Sequence, residues 1–173
     1  MSILPHRRKH SLACAAGSPR WRRPMRGGVS TMELVVVVLI MGIIAAVAVP
    51  TYLTALARYR SSNAARRIVA DLELARREAG MASASRTVTF SSAGESYTLA
   101  DVADLNRAGA VYSVSLDDDP YYVDIVSVDL GGDEEVVFDG FGQADSGGTI
   151  VVRSGGVDNT IVIDAATGLA TVL

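Results

Sequence analysis

Apolar and polar positions change their rhythm twice along the chain. From Leu34 to Val49 the sequence reads LVVVVLIMGIIAAVAV, and Glu33 is the only charged residue between Val29 and Ala57. About 20 apolar residues cross a bilayer core as a helix, so this stretch is long enough to span one. Pro50 removes one helical hydrogen bond, a break that membrane helices tolerate better than soluble ones. Beyond it, Leu53, Leu56, Ala64, Ile68, Leu72, Ala75 and Ala79 recur at spacings of three and four. That period predicts one helix from Val29 whose second half is amphipathic and ends near Ala82, with Gly80 and Ser83 favouring the stop. Arg67–Asp71 and Glu73–Arg77 are expected on its wet side, as pairs worth about 0.2–0.5 kcal/mol each. Arg66–Arg67 and Arg76–Arg77 are expected on the same solvated face.

From Ser85 the rhythm becomes that of strands. RTVTF, SYTLADV, AVYSVSL, YYVDIVSVDL, EVVF, TIVVRS, NTIVIDA and GLATVL are rich in Val, Ile, Tyr and Thr, and turn-forming stretches such as SSAG, SGGVDN and ATG separate them. Alternation over Thr87–Phe90 and Tyr122–Val128 predicts sheets covered on one face. Tyr121 and Tyr122 are expected to be one inward and one outward strand residue. Eight short strands predict two antiparallel sheets, or one curled sheet, packed on the helix stripe. The fold class is therefore α+β.

Charge sharpens this division. Residues 1–28 hold seven of the 16 Lys and Arg, both histidines, the single Cys14 and no acid. Residues 29–173 are net acidic, with nine cations against all 19 acids, and residues 85–173 carry Arg86, Arg107 and Arg153 against fifteen acids. Without Cys or His after residue 28 there is no disulfide framework, no His/Cys zinc site and no His-based triad there. The three scattered cations argue against nucleic-acid binding, which needs clustered Lys and Arg. No cofactor, metal or small-molecule substrate is expected. Asp117-Asp118-Asp119-Pro120 and Gly131-Gly132-Asp133-Glu134-Glu135 offer oxygen ligands for calcium but lack EF-hand spacing, so they read as solvated turns. Asp145-Ser146-Gly147-Gly148 looks like a protease nucleophile loop without its histidine base, and reads as a Gly-rich turn.

Cations before the apolar run outnumber those just after it, where Arg58 is the first. Positive-inside orientation leaves the leader in the cytoplasm and sends the C-terminal part outside. A secretory signal fits less well, because Ala46-Val47-Ala48 gives only a poor cleavage site at the end of a long run. A twin-arginine reading of Arg7-Arg8 and a lipoprotein reading of Cys14 fit no better. None of these explains Glu33, a carboxylate at the edge of a membrane helix.

At Gly28-Val29-Ser30-Thr31-Met32-Glu33-Leu34 and the apolar run behind it, the chain resembles the type IV prepilin family: a basic leader ending in glycine, then a mature chain with glutamate fifth. The resemblance implies that a prepilin peptidase cuts between Gly28 and Val29 and can methylate the Val29 amine. It also implies that Glu33 neutralises that amine on a neighbouring subunit during assembly, and that Gly42 and Pro50 are the glycine and proline at which pilin helices kink. An ion pair of that kind is attractive in low dielectric, whereas either charge alone is costly there. The alternative is that Glu33 pairs with its own Val29, four residues away.

Val137-Phe138-Asp139-Gly140-Phe141-Gly142, the apolar strands at 149–152 and 160–163, and Thr167-Gly168 resemble the C-terminal domain of GspH/FimT-type pilins, with Leu169 where members often have arginine. The expected organisation is a cleaved leader (1–28), a transmembrane or filament-core helix (29–57), its amphipathic continuation (58–84) and a periplasmic β-domain (85–173), together pilin-like. The expected function is a non-enzymatic minor pseudopilin of a type II secretion pseudopilus. Its partners would be prepilin peptidase, other pilin or pseudopilin subunits and the inner membrane. The alternatives are a minor pilin of a type IV pilus, in biogenesis or DNA uptake, or an unprocessed single-pass membrane protein with a periplasmic β-domain.

Overall fold

The computed structural model describes residues 28–104, 107 and 109–173; the basic leader before Gly28, with the expectations placed on it, lies outside these. Among the described residues one α-helix precedes eight strands. These are α1 (Thr31–Ala82), β1 (Arg86–Ser91), β2 (Ser96–Ala103), β3 (Val111–Ser115), β4 (Asp124–Asp129), β5 (Glu135–Phe138), β6 (Gly148–Ser154), β7 (Val157–Ile163) and β8 (Ala170–Val172). The chain divides into two compact units between Ile40 and Met41, the second holding the rest of α1 and every strand.

α1 starts two residues later than the sequence suggests. Its first bond runs from the Leu34 N–H to the Ser30 carbonyl at 3.1 Å, so Ser30 caps the helix and Val29 precedes it. The other end closes where expected, at Ala82. Ala84 N–H reaches the Ala79 carbonyl at 3.2 Å and Ser83 N–H reaches that of Gly80 at 3.4 Å, with Ser83 at φ 49°. This double closure over a left-handed residue satisfies two of the last helical carbonyls.

All strand pairs are antiparallel, and the strands form two sheets of four. One has the order β3-β2-β1-β5 and the other β4-β6-β7-β8. In the first, Val88 faces Leu99 and Val136, and Phe90 faces Tyr97. In the second, Ile150 faces Ile161. β5 thus leaves the strand that precedes it and pairs with β1 across the first sheet. β4 is shorter than its apolar pattern suggests: Tyr121 and Tyr122 lie in the turn before it, Tyr121 half-buried and Tyr122 exposed at φ 50°.

Ala64, Ala65, Ile68, Leu72, Ala75 and Ala79 of α1 form one core with the inward residues of both sheets, among them Val88, Phe90, Tyr97, Leu99, Val136, Phe138, Ile150 and Ile161. Alanine at four of the six helix positions lets the backbone approach the sheets closely, while Ile68 and Leu72 fill the space between them. The buried face begins at Ala57. Leu53 is exposed and Leu56 only half-buried, so the two leucines at the start of the expected stripe do not belong to the core.

Candidate functional site: the apolar helix start and the loops that hold its far end

Gly28, Val29 and Glu33 lie within one short exposed segment, and nothing stands within 4 Å of where a Gly28 Cβ would be. Ser30 at the N-cap and Glu33 at the third helical position give the Ser-x-x-Glu order of a capping box. A carboxylate in the first turn is also favoured by the helix dipole. Glu33 is therefore compatible with a helix start as well as with a cationic partner. In the uncut chain α1 begins at Thr31, so Val29 precedes the helical turn that carries Glu33.

α1 runs on through Gly42 and Pro50. Pro50 brings no N–H to the carbonyl of Ala46. Around it, the Thr51 hydroxyl bonds the Val47 carbonyl at 3.1 Å and the Thr54 hydroxyl that of Pro50 at 3.0 Å. Such bonds keep the polar groups of an apolar segment satisfied within the helix. An 18-residue window of α1 is long and apolar enough to cross a membrane, and none of it is buried.

The largest departure from the sequence reading is at Asp71. It was expected on the wet side, yet it is 5% exposed. Three donors converge on its Oδ2: Arg67 Nε at 2.9 Å, the Tyr97 hydroxyl at 2.6 Å and the Tyr112 hydroxyl at 3.0 Å. Arg67 Nη2 also donates to the Tyr112 hydroxyl. Burial works against charge on Arg67, but Asp71, Tyr112 and Tyr97 together outweigh it and raise the guanidinium pKa. Burial first, and Asp71 second, push the Tyr97 and Tyr112 hydroxyls above the usual tyrosine range. A carboxylate so placed is stable only with its donors in position, so the cluster pins α1 to β2 and β3. No local signal in the sequence marks this, because its partners lie 26 and 41 residues away.

Glu73 behaves more as expected. It bridges Arg76 at 3.2 Å and Arg77 at 3.0 Å, and the bond from Arg76 leads the effects that hold its pKa below the usual value. Arg77 is solvated, but Arg76 is not simply wet. Its Nη1 donates to the Thr167 carbonyl at 3.2 Å, and its stem lies against Gly142 and Gly168.

Those two glycines belong to the C-terminal pattern seen in the sequence, and the structure brings its pieces together. Asp139 Oδ1 accepts from the N–H groups of Phe141 (2.9 Å) and Gln143 (2.8 Å). Asp164 Oδ1 accepts from the Thr167 N–H (2.9 Å), and this bond holds its carboxyl pKa down. Gly142 and Gly168 both have positive φ, and a Cβ on Gly168 would stand 2.2 Å from the Gly142 carbonyl oxygen. The two loops therefore touch through backbone, which only glycine permits there. Phe138 of the same pattern is fully buried, whereas Phe141 is exposed.

The protease-like loop at Asp145-Ser146-Gly147-Gly148 is tied to the chain around it by hydrogen bonds. Asp145 Oδ1 accepts from the Val137 N–H at 2.9 Å, and the Ser146 hydroxyl donates to the Leu130 carbonyl at 2.9 Å. Among the described residues no group of three or more His, Cys, Asp or Glu could hold a metal ion.

The sequence profile of the family described as type II transport protein GspH matches residues 64–167, from the first core alanines of α1 to the Asp164 turn. In two crystal forms, the type IV minor pilin FimU of Pseudomonas aeruginosa PAO1 is similar at 16% identity and a TM-score of 0.47. The similarity covers 65% of this chain and 91% of FimU in one form, and 67% and 88% in the other. No curated protein matches the chain. With a profile match over more than half its length, the chain belongs to the GspH family.

Proposed function

We propose that this protein is a non-enzymatic minor pseudopilin, a subunit of a type II secretion pseudopilus. It is anchored by α1 in the inner membrane, with the β-domain in the periplasm. The observation that carries this reading is the apolar first part of α1, wholly exposed in this chain and continuous with a helix that organises a folded β-domain. Exposed apolar surface on that scale calls for lipid or other helices to cover it. Membership of a family named for type II transport favours secretion over the pilus alternative. The net acidity of residues 85–173 weighs against DNA uptake.

On this reading, prepilin peptidase removes residues 1–28 and can methylate Val29, and Glu33 then meets the new amine of a neighbouring subunit. Gly42 and Pro50 are where the helix can bend during packing. Co-expression with a prepilin peptidase, followed by mass spectrometry, should find a chain starting at Val29. A bulky replacement of Gly28 should block the cut. An intact leader in the presence of active peptidase would leave only the unprocessed membrane-protein alternative. Glu33→Leu should be inserted and cut normally but incorporated less into filaments and into complexes with other minor subunits; normal incorporation in both would remove Glu33 from assembly.

A further inference from the structure

One pole of the β-domain lies against α1 directly after the apolar segment. The β6–β7 turn, Ser154-Gly155-Gly156, packs so closely that a Cβ on Gly155 would stand 2.8 Å from the Ala57 Cβ. The Ser154 hydroxyl bonds the Tyr122 carbonyl at 3.1 Å, while the Tyr122 N–H bonds the Asp118 carbonyl at 3.1 Å. These bonds hold Tyr122 at φ 50°, a conformation uncommon for a bulky residue. The residue stays 49% exposed, with the Arg60 guanidinium 4.7 Å from its ring centroid. On α1 itself, Tyr52 and Tyr59 are 66% and 67% exposed, and Arg58, which directly precedes Tyr59, is exposed too.

The spacing of these groups matches a membrane boundary. Leu34 to Leu53 is the length of helix that crosses a core of about 30 Å. Ala57 to Arg60 then lies about 6–10 Å beyond Leu53, at the depth of the headgroups. Tyrosine has an apolar ring and a polar tip suited to that zone, and arginine can extend to lipid phosphate. The nearby acids Asp124 and Asp158 face Arg153, which is bonded to Asp158 at 2.5 Å and 2.7 Å. Exposed Asp117–Asp119 adjoin the tyrosine pair, so the fit rests on placement of tyrosine and arginine and not on net charge.

We propose that this pole, formed by Tyr122 and the β6–β7 turn beside Tyr59 and Arg60, docks on the phospholipid headgroups of the membrane that α1 crosses. Arg58 and Arg60 meet lipid phosphate, while Tyr59 and Tyr122 sit at the boundary between headgroups and acyl chains. The β-domain is thereby held down on the bilayer before assembly. This inference rests on the membrane anchoring proposed above.

The test uses the full chain with Trp21→Phe, reconstituted in phosphatidylcholine–phosphatidylglycerol vesicles carrying spin-labelled lipid. Single tryptophans are placed by Val47→Trp, Tyr122→Trp, Tyr59→Trp and Phe141→Trp. Val47→Trp should be quenched by acyl-chain labels, and Tyr122→Trp should lose about half its emission to headgroup labels. Phe141→Trp should be unaffected, because its loop lies by Ser83 at the far end of α1. Tyr59→Trp, on α1 itself, reads the depth that the anchor alone sets, and a further variant, Val157→Trp, half-buried directly after the β6–β7 turn, repeats the docking reading should Tyr122→Trp fail to fold. Quenching of Val47→Trp with Tyr122→Trp or Val157→Trp as bright as Phe141→Trp would overturn the docking and leave the anchor standing. An unquenched Val47→Trp would overturn both.

Discussion

Two stretches of the same helix are treated in opposite ways. From Thr31 to Ala55 every residue of α1 is exposed, although this is the more apolar part. From Ala57 to Ala79 nine residues are buried, and they include Ser61 and Asp71 beside five alanines. Apolar content therefore does not decide which part of α1 is covered within the chain; complementary groups on the sheets do. Asn159 Nδ2 reaches the Ser61 hydroxyl at 2.7 Å, and two tyrosines and an arginine reach Asp71. The apolar part has no such partners among the described residues.

The comparison is broken most strongly in the buried stretch. Ile68→Ala should destabilise the β-domain by about 4 kcal/mol, the cost of a core cavity where the surroundings cannot collapse, read from denaturant unfolding of the full chain in micelles. Asp71→Ala leaves Arg67, Tyr97 and Tyr112 without their shared acceptor and should cost about 3 kcal/mol. A loss of less than about 1 kcal/mol would mean that the pair behaves as the surface ion pair the sequence suggests. Gly168→Ala drives a methyl into the Gly142 carbonyl and should cost about 2 kcal/mol, detaching Arg76 from the two loops without touching the Asp71 cluster.

A smaller effect should appear at alkaline pH. Tyr97 and Tyr112 have pKa values raised in the folded chain by burial and by Asp71. Their contribution is fully present below the unfolded tyrosine pKa of about 10 and is lost as pH rises toward the raised folded values. Unfolding scans should thus be insensitive to these groups at neutral pH and lose stability above about pH 10. Tyr97→Phe should flatten that slope. The smallest effect belongs to the exposed stretch: Leu39→Ala should change β-domain stability by no more than about 0.5 kcal/mol. A larger change would mean that the apolar part of α1 helps to hold the β-domain together.

Much of the fold was legible in the chain because the signals are short-range. A continuous apolar run, a stripe of period near 3.6 and turn residues between β-branched segments each lie within a few residues of what they determine. They located α1 and all eight strands, but not the contact between the loops of Gly142 and Gly168. Tertiary structure alone decided that β5 pairs with β1 and not with β4, and that the helix stripe begins at Ala57 and not at Leu53. It alone turned the Arg67–Asp71 pair from a wet helical pair into a buried cluster. A strand's neighbour, and the burial of a carboxylate, depend on groups brought together from distant parts of the chain, and no local period records them.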